Sequence, residues 1–446
     1  MRRAAARRQA PRRAALTQGK GGVTPERDRD AGLRSIVVTM NAPPSTQDRI
    51  AAALAPLGDG PLSEAGIRRH VAPLFGRALA RSASRIYLAN HSLGRPLDAM
   101  EDDVREALAA WYGSMGEAWV AWDAEMRAYR ARLAALLGAS RPDTVVPKSS
   151  AGQGLRAVLH ALEGRPRVVA TSGEFDSLDV ILRAFAHRGR IELAVVGPRD
   201  NGRFDSDDVI AAIGARADLV VVSQVMYQTG QLPGGVDRIV GAAHAAGGRV
   251  LLDVYHSLGV LPVDVAALDV DFAVGGAYKY LRGGPGAAFV YVAPRHLDGG
   301  LATLDIGWFA KAERFRYERP DPPRFAPGGD AWLESTPPVL PFYQARAGQL
   351  FTQAIGVTRL RAHSLAPQRA LVEALAARGI VADGGTADRG AFVVVRRDDA
   401  GRLAERMKSA GIDVDARGPW LRLCPDVLTS GEEIERAAEA LARAAA

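Results

Sequence analysis

Between residues 167 and 293 six short apolar runs recur, most of them separated by a stretch of helical periodicity. They are RVVATS (167–172), IELAVVG (191–197), DLVVVSQV (218–225), RVLLDV (249–254), DFAVGG (271–276) and AAFVYVA (287–293). Apolar runs of this length suit strands buried on both faces. The stretches at about 176–188, 205–214 and 235–247 read as helices. A chain that alternates in this way folds as an α/β domain around a mainly parallel sheet. Ligands of such sheets sit beyond the carboxyl ends of the strands. Phe175, Tyr227, Asp253 and Lys279 all fall just past such ends.

Two of these positions carry specific chemistry. LLDVYHSLG (251–259) is an apolar run ending in an acid, and GGAYKYLRGGPG (275–286) sets Lys279 between two tyrosines in a frame of glycines. Glycines there let backbone or ligand come close. An acid at one strand end and a lysine after the next strand are what a pyridoxal 5'-phosphate (PLP) enzyme needs. The lysine forms the Schiff base, and the acid keeps the pyridine nitrogen protonated so that the ring drains electrons from the substrate. Asp253 and Lys279 are the candidates for these roles. The bland alternative, a solvated loop lysine and a helix-capping aspartate, explains neither the apolar lead-in nor the glycine frame.

Upstream, KSSAGQGLRAVLHAL (148–162) reads as a loop feeding a helix. Ser149, Ser150 and Gly152 before a helix N-terminus form a phosphate cradle, because free backbone N–H groups and the helix dipole both favour an anion. Taken alone the pattern is weak, since serine at a helix start is usually only a cap.

The net charge of +7 suggests a nucleic-acid partner until it is located. Residues 1–39 hold ten basic and three acidic residues, which accounts for the whole excess. The remaining body is balanced, so no nucleic-acid partner is expected. The arm is too short and too polar for a winged helix-turn-helix, has no apolar stretch of a secretory signal, and is expected to be a disordered basic arm. No run of 18 apolar residues exists, so no membrane association is expected. Cys424 is the sole cysteine, which leaves no intrachain disulfide and fits a cytoplasmic protein.

Elsewhere 47–56 and 62–82 read as helices, 85–89 as a strand, and Asn90–Arg95 as a turn in which Gly94 can take a positive φ. Residues 97–112 and 117–138 show helical spacing, with Trp111, Trp119 and Trp122 read as packing residues rather than a binding box, the lining of a pocket by one of them being the alternative. A Pro/Arg-rich connection at 311–338 has the length of a functional cover or a disordered segment. Two helices follow over 339–379, then strands near 391–396, 412–415 and 420–424. A final helix opens on a capping box, Ser430-Gly-Glu-Glu433. The expected division is a basic arm (1–39), a helical segment that contributes to the small domain and the active site (40–140), a large cofactor domain (141–338) and a small C-terminal α+β domain (339–446).

Over about residues 85–440 the chain resembles fold-type I PLP enzymes of the class V aminotransferase superfamily, and kynureninase most. The most specific match is D-x-x-H-x-x-G (Asp253, His256, Gly259), followed by D-F-A and Y-K-Y-L-x-G-G-P-G (278–286). Weaker matches are Tyr227-Gln-Thr-Gly230, Gly307-Trp308-Phe309, Ser335-Thr336-Pro337-Pro338 and Arg422 in LRLCP. The resemblance implies a large domain with a mainly parallel seven-stranded sheet, a smaller C-terminal domain, and a homodimer. It gives Lys279 the cofactor linkage, Asp253 the pyridinium, with His256 beside it, and Phe175 the ring face. Ser149, Ser150 and Tyr278 would bind phosphate, joined by Trp308 and Thr336 from a second subunit. Arg422 would hold the α-carboxylate of an amino acid substrate. Lys279 would act as the base and Tyr278 as the proton donor in hydrolytic Cβ–Cγ cleavage releasing alanine. No metal is implied.

The sequence also departs from the family. His91 stands in Asn90-His91-Ser92-Leu93-Gly94 where kynureninases carry G-N-S-L-G, and Tyr255 precedes His256 where they carry alanine. After Phe175 the acid expected at the third position is missing, and Asp179 is left as an open substitute. The cofactor machinery is retained while the substrate surroundings change, with His91 and Tyr255 among the substrate-binding candidates. A class V aminotransferase or a β-eliminating lyase acting on another amino acid is therefore the alternative.

Overall fold

The computed structural model describes residues 44–446, so the basic arm read at 1–39 lies outside the described residues. After a short strand β1 (Ile86–Tyr87), the chain builds a large sheet. Its strands are β2 (Val145–Lys148), β3 (Arg167–Thr171), β4 (Glu192–Val196), β5 (Leu219–Ser223), β6 (Arg249–Asp253), β7 (Phe272–Gly276) and β8 (Ala288–Val292). Their order across the sheet is β2-β8-β7-β6-β5-β3-β4. The strands from β4 to β7 run parallel, while β8 is antiparallel to both of its neighbours.

β5, β7 and β8 are buried along their whole length. Their side chains alternate between faces, as a strand requires. Val220, Val222, Val250 and Leu252 enter one apolar core, and Leu219, Val221 and Leu251 enter the other. The unbroken apolar runs in the sequence are the signature of this two-sided burial.

β2 escaped the pattern reading because it runs VVPK. Pro147 cannot donate a ladder hydrogen bond and is tolerated because β2 is an edge strand. The helix expected over 62–82 is also broken. It divides into Glu64–Gly66, a π-turn at Ile67–Val71, a 3-10 turn at Ala72–Phe75, and Gly76–Arg81. Pro73 lacks the N–H that a continuous helix would use and clashes with the preceding turn.

The C-terminal part holds β9 (Val393–Arg396), β10 (Ile412–Asp413), β11 (Asp415–Arg417) and β12 (Trp420–Leu423). β11, β12 and β9 form an antiparallel sheet, and β1 pairs parallel with β10. Helices Val339–Ile355 and Val357–Ala376 appear as read, and Ser430 and Glu433 make the expected capping box. The connection at 311–338 contains short 3-10 turns and one isolated antiparallel bridge between Lys311 and Phe325. Trp119, Trp308, Phe309 and Phe315 pack there as one aromatic cluster, which Trp111 and Trp122 extend. Among the described residues no helix is long and apolar enough to cross a membrane.

Because β4 lies outside β3 while β5 flanks its other side, the strand order turns around between β3 and β5. A crevice opens beyond the carboxyl ends at such a point. The candidate site occupies it.

Candidate active site

Lys279 follows β7 on a loop held by its own backbone. Gly283 N donates to Ala277 O at 2.7 Å and Arg282 N to Lys279 O at 3.1 Å. The turn at 90–94 packs onto this loop, with Gly94 N donating to Tyr278 O at 2.7 Å. Gly94 does not take the positive φ expected of it. A Cβ there would lie 2.0 Å from Lys279 O, so close approach of two backbones demands the glycine.

The Lys279 side chain is buried and reaches into a cavity of about 140 Å³. Asp253, from the end of β6, lines the same cavity and is also buried. Its Oδ1 accepts from Tyr255 N at 2.8 Å. Burial pushes the Asp253 carboxyl up, against the opposing pull of the Tyr255 N–H and Lys279. Burial likewise pushes the Lys279 amine down from the ordinary lysine range, while Asp253 raises it. His256 Nε2 touches Lys279 Nζ. Burial and then the Lys279 charge hold His256 well below its ordinary value, so it is neutral.

Aromatic rings enclose the amine. Lys279 Nζ lies 5.2 Å from the centroids of Phe175 and Tyr255 and 5.7 Å from that of Tyr278. Tyr255 and Tyr278 stand 5.0 Å apart, centroid to centroid. The Tyr255 ring lies where a Cβ on Gly276 would be, 2.1 Å from that position at its hydroxyl. Gly276 is therefore the space Tyr255 requires.

At the other end of the cavity Ser149 and Ser150 precede the Ala151–Leu159 helix. Ser150 caps it by accepting from Gln153 N at 3.1 Å. Ser149 N and Oγ both donate to Gln153 Oε1, at 2.7 and 2.9 Å. Gln153 in turn donates to Glu334, which Lys148 grips at 2.6 Å from a buried position. Trp308 Nε1 donates to Thr336 Oγ1 at 3.1 Å, and this pair lies away from the cavity lining of its own chain.

Arg422 and His91 are not among the residues lining this cavity and meet each other through a residue the sequence reading did not single out. Asp415 Oδ1 accepts from Arg422 Nε at 2.7 Å and faces His91 Nε2 at 2.8 Å. Its Oδ2 accepts from Arg422 Nη2 at 2.5 Å and Ser92 Oγ at 2.6 Å. Burial would raise Asp415, but His91 and Arg422 hold it well below the usual carboxylate range. Burial and the Arg422 charge push His91 down to about 4. Asp176 accepts from Tyr227 OH at 3.1 Å, whereas Asp179 pairs outward with Arg183. Glu174 was also missed. It is buried between β3 and β5, where it accepts from Thr171 Oγ1 at 2.7 Å and Ser223 Oγ at 2.6 Å. Burial pushes it up to about 7, with Asp253 adding to the rise.

The sequence model of the aminotransferase class-V family matches residues 95–415. The chain belongs to the aminotransferase class-V family. It is 30% identical over 354 residues to the kynureninase of Deinococcus radiodurans, covering 75% of this chain and 83% of that one. With the kynureninase of Salinispora tropica it shares 31% identity over 408 residues, 84% and 92% of the two chains. Among solved structures, the cystine C–S lyase C-DES in complex with cysteine persulfide aligns with a TM-score of 0.72 at 20% identity, covering 82% of this chain and 98% of that one. A cysteine desulfurase from Thermococcus onnurineus aligns with a TM-score of 0.69 at 18% identity, over 82% and 95%. Likeness at this identity shows the fold, which is that of fold-type I PLP enzymes.

This class V aminotransferase-fold chain is a PLP-dependent enzyme. Its cavity suits that cofactor on chemical grounds. It offers a buried amine with a weakened hold on its proton, an acid on the neighbouring strand, an aromatic face and, at the far end, two hydroxyls at a helix N-terminus. Among the described residues no cluster of side chains able to hold a metal ion is present.

Proposed function

We propose that this enzyme cleaves the Cβ–Cγ bond of an L-amino acid hydrolytically and releases alanine, as a kynureninase does. The buried Lys279 amine between Asp253 and the Phe175 ring carries the reading, supported by the identity to kynureninases over most of the chain. When bound through Lys279, PLP supplies an electron sink for the bond broken at Cα. Asp253 holds the proton on the ring nitrogen, and Phe175 covers the ring face. Ser149, Ser150 and Tyr278 hold the phosphate at the helix N-terminus. The Trp308–Thr336 pair, turned away from its own cavity, completes the phosphate site of a second copy in a homodimer.

Arg422 grips the substrate carboxylate with its guanidinium fork. His256 stays neutral beside Lys279 and adds no competing cation. The released Lys279 amine removes the Cα proton, which its low affinity for protons at neutral pH permits. Water adds to the γ-carbonyl, the Cβ–Cγ bond breaks so that the acyl group leaves as an acid, and Tyr278 delivers a proton to Cβ, which keeps the bonding pair and becomes the methyl group of alanine.

Tyr255 favours a second reading. Its ring occupies space beside Tyr278, at the position where kynureninases carry alanine, and a narrower floor suits a smaller amino acid. That reading is a class V aminotransferase or a β-eliminating lyase. Incubation of the loaded enzyme with L-kynurenine tests the two. Anthranilate and alanine in equal amounts are expected; keto-acid formation that depends on an added acceptor would favour the second reading.

A further inference from the structure

The Asp415 carboxylate makes four hydrogen bonds, and Arg417 Nη2 stands 3.6 Å from its Oδ2 as a further ion pair. Each oxygen takes one hydrogen from Arg422 and one from the 91–92 turn, His91 on Oδ1 and Ser92 on Oδ2. A carboxylate has about four lone-pair sites, so these hydrogen bonds saturate it, and Arg417 adds only its charge from 3.6 Å. The backbone fixes the pair as well, because Asp415 and Arg422 are register partners in the β11/β12 ladder.

The guanidinium is divided accordingly. Of its five N–H bonds, Asp415 takes one on Nε and one on Nη2, and Tyr227 O takes one on Nη1. One N–H remains on each terminal nitrogen, which is the pair a carboxylate needs for a two-point grip. Arg422 is only 2% exposed, so without a partner its charge would be unsupported in the interior. The 91–92 turn that completes the network belongs to the segment whose Gly94 bonds the backbone beside Lys279.

We infer that Asp415 is the positioning residue that makes Arg422 selective for an α-carboxylate, by consuming one edge of the guanidinium and presenting the remaining two N–H bonds at a fixed angle. This rests on the proposed reading of Arg422 as the carboxylate seat. Asp415 itself touches no reacting atom. It acts through Arg422 and through His91, whose Nε2–H it engages.

The test uses the full-length, PLP-loaded protein and two probes, L-alanine and L-alaninamide, whose binding is read from the cofactor absorbance. The probes share an amine and side chain and differ only in the carboxylate. Asp415→Asn is expected to weaken L-alanine by about tenfold or more, the scale for breaking a buried charge pair. It leaves L-alaninamide within about twofold, so the preference for the carboxylate collapses. Equal weakening of both probes, or of neither, would overturn the inference, since a merely structural role cannot change the ratio. If Asp415→Asn does not fold, Asp415→Glu, which keeps a displaced carboxylate, is expected to lose the same preference by a smaller factor; a wild-type ratio in that variant contradicts the inference. A wild-type protein whose absorbance neither probe changes, although the cofactor is bound, overturns the proposed function and this inference with it.

Discussion

Lys279 and His256 lie side by side in the interior, with the amine against Nε2 of the imidazole. Two cations cannot share that position, and each is held below its ordinary protonation range by burial first. Neutral Lys279 is the form that attacks an aldehyde. Capture of PLP by the cofactor-free protein should therefore be rapid near neutral pH, with its pH midpoint well below that of an ordinary lysine. Asp253 raises the Lys279 pKa, so Asp253→Asn should move the midpoint lower still. Stopped-flow absorbance across pH checks both; a midpoint in the ordinary lysine range would contradict them.

Asp253→Asn should also separate loading from turnover. The variant is expected to bind PLP, because the phosphate cradle and Lys279 are untouched. Its kcat should fall by about 10²–10⁴, the range for losing a positioned proton-holding group. Steady-state kinetics on any substrate found will measure this.

Ser149→Ala with Ser150→Ala removes both hydroxyls of the cradle. Hydrogen bonds to a charged group contribute about 1.5–3 kcal/mol each, so losing both should lower PLP affinity by at least about a hundredfold. Loss of the Ser150 cap adds about 1 kcal/mol of destabilisation to the Ala151–Leu159 helix. Cofactor titration and thermal melting report the two effects separately.

Glu174 carries a pH signature. Its carboxyl rises from an ordinary 4.5 to about 7 in the folded chain. A group that binds its proton more tightly when folded stabilises the fold at low pH and loses that contribution as pH rises through about 4.5 to 7. Glu174→Gln has no proton to lose. Its melting temperature relative to wild type should therefore climb between pH 5 and pH 8, and a constant difference would refute the assignment.

Gly276→Ala places a methyl group 2.1 Å from the Tyr255 hydroxyl and 2.4 Å from its Cζ. The overpacking should cost about 1–3 kcal/mol. Because the two positions share one space, adding Tyr255→Ala should recover part of that loss, and the double-mutant cycle will be non-additive. Denaturant unfolding of the four proteins gives the coupling.

The central strands were legible because burial on both faces leaves unbroken apolar runs, and their ends placed Phe175, Asp253 and Lys279 together. β2 was hidden by Pro147, which marks an edge as readily as it argues against a strand. Gly94 was read as a turn glycine able to take a positive φ, whereas its close contact with Lys279 O is a tertiary fact with no local pattern. Asp415 gave no motif signal. The Gly418-Pro419 turn between β11 and β12 held the clue, because a hairpin closed there sets Asp415 opposite Arg422. Glu174 lay beside Phe175 in the sequence, but only the closure of β3 against β5 buries it.

Lys279 is the covalent seat proposed for the cofactor. Borohydride reduction of the PLP-loaded protein, followed by proteolysis and mass spectrometry, locates that seat directly. A phosphopyridoxyl group is expected on Lys279 and is expected to be absent from Lys279→Ala. Modification of another lysine, or unchanged labelling in that variant, would contradict it.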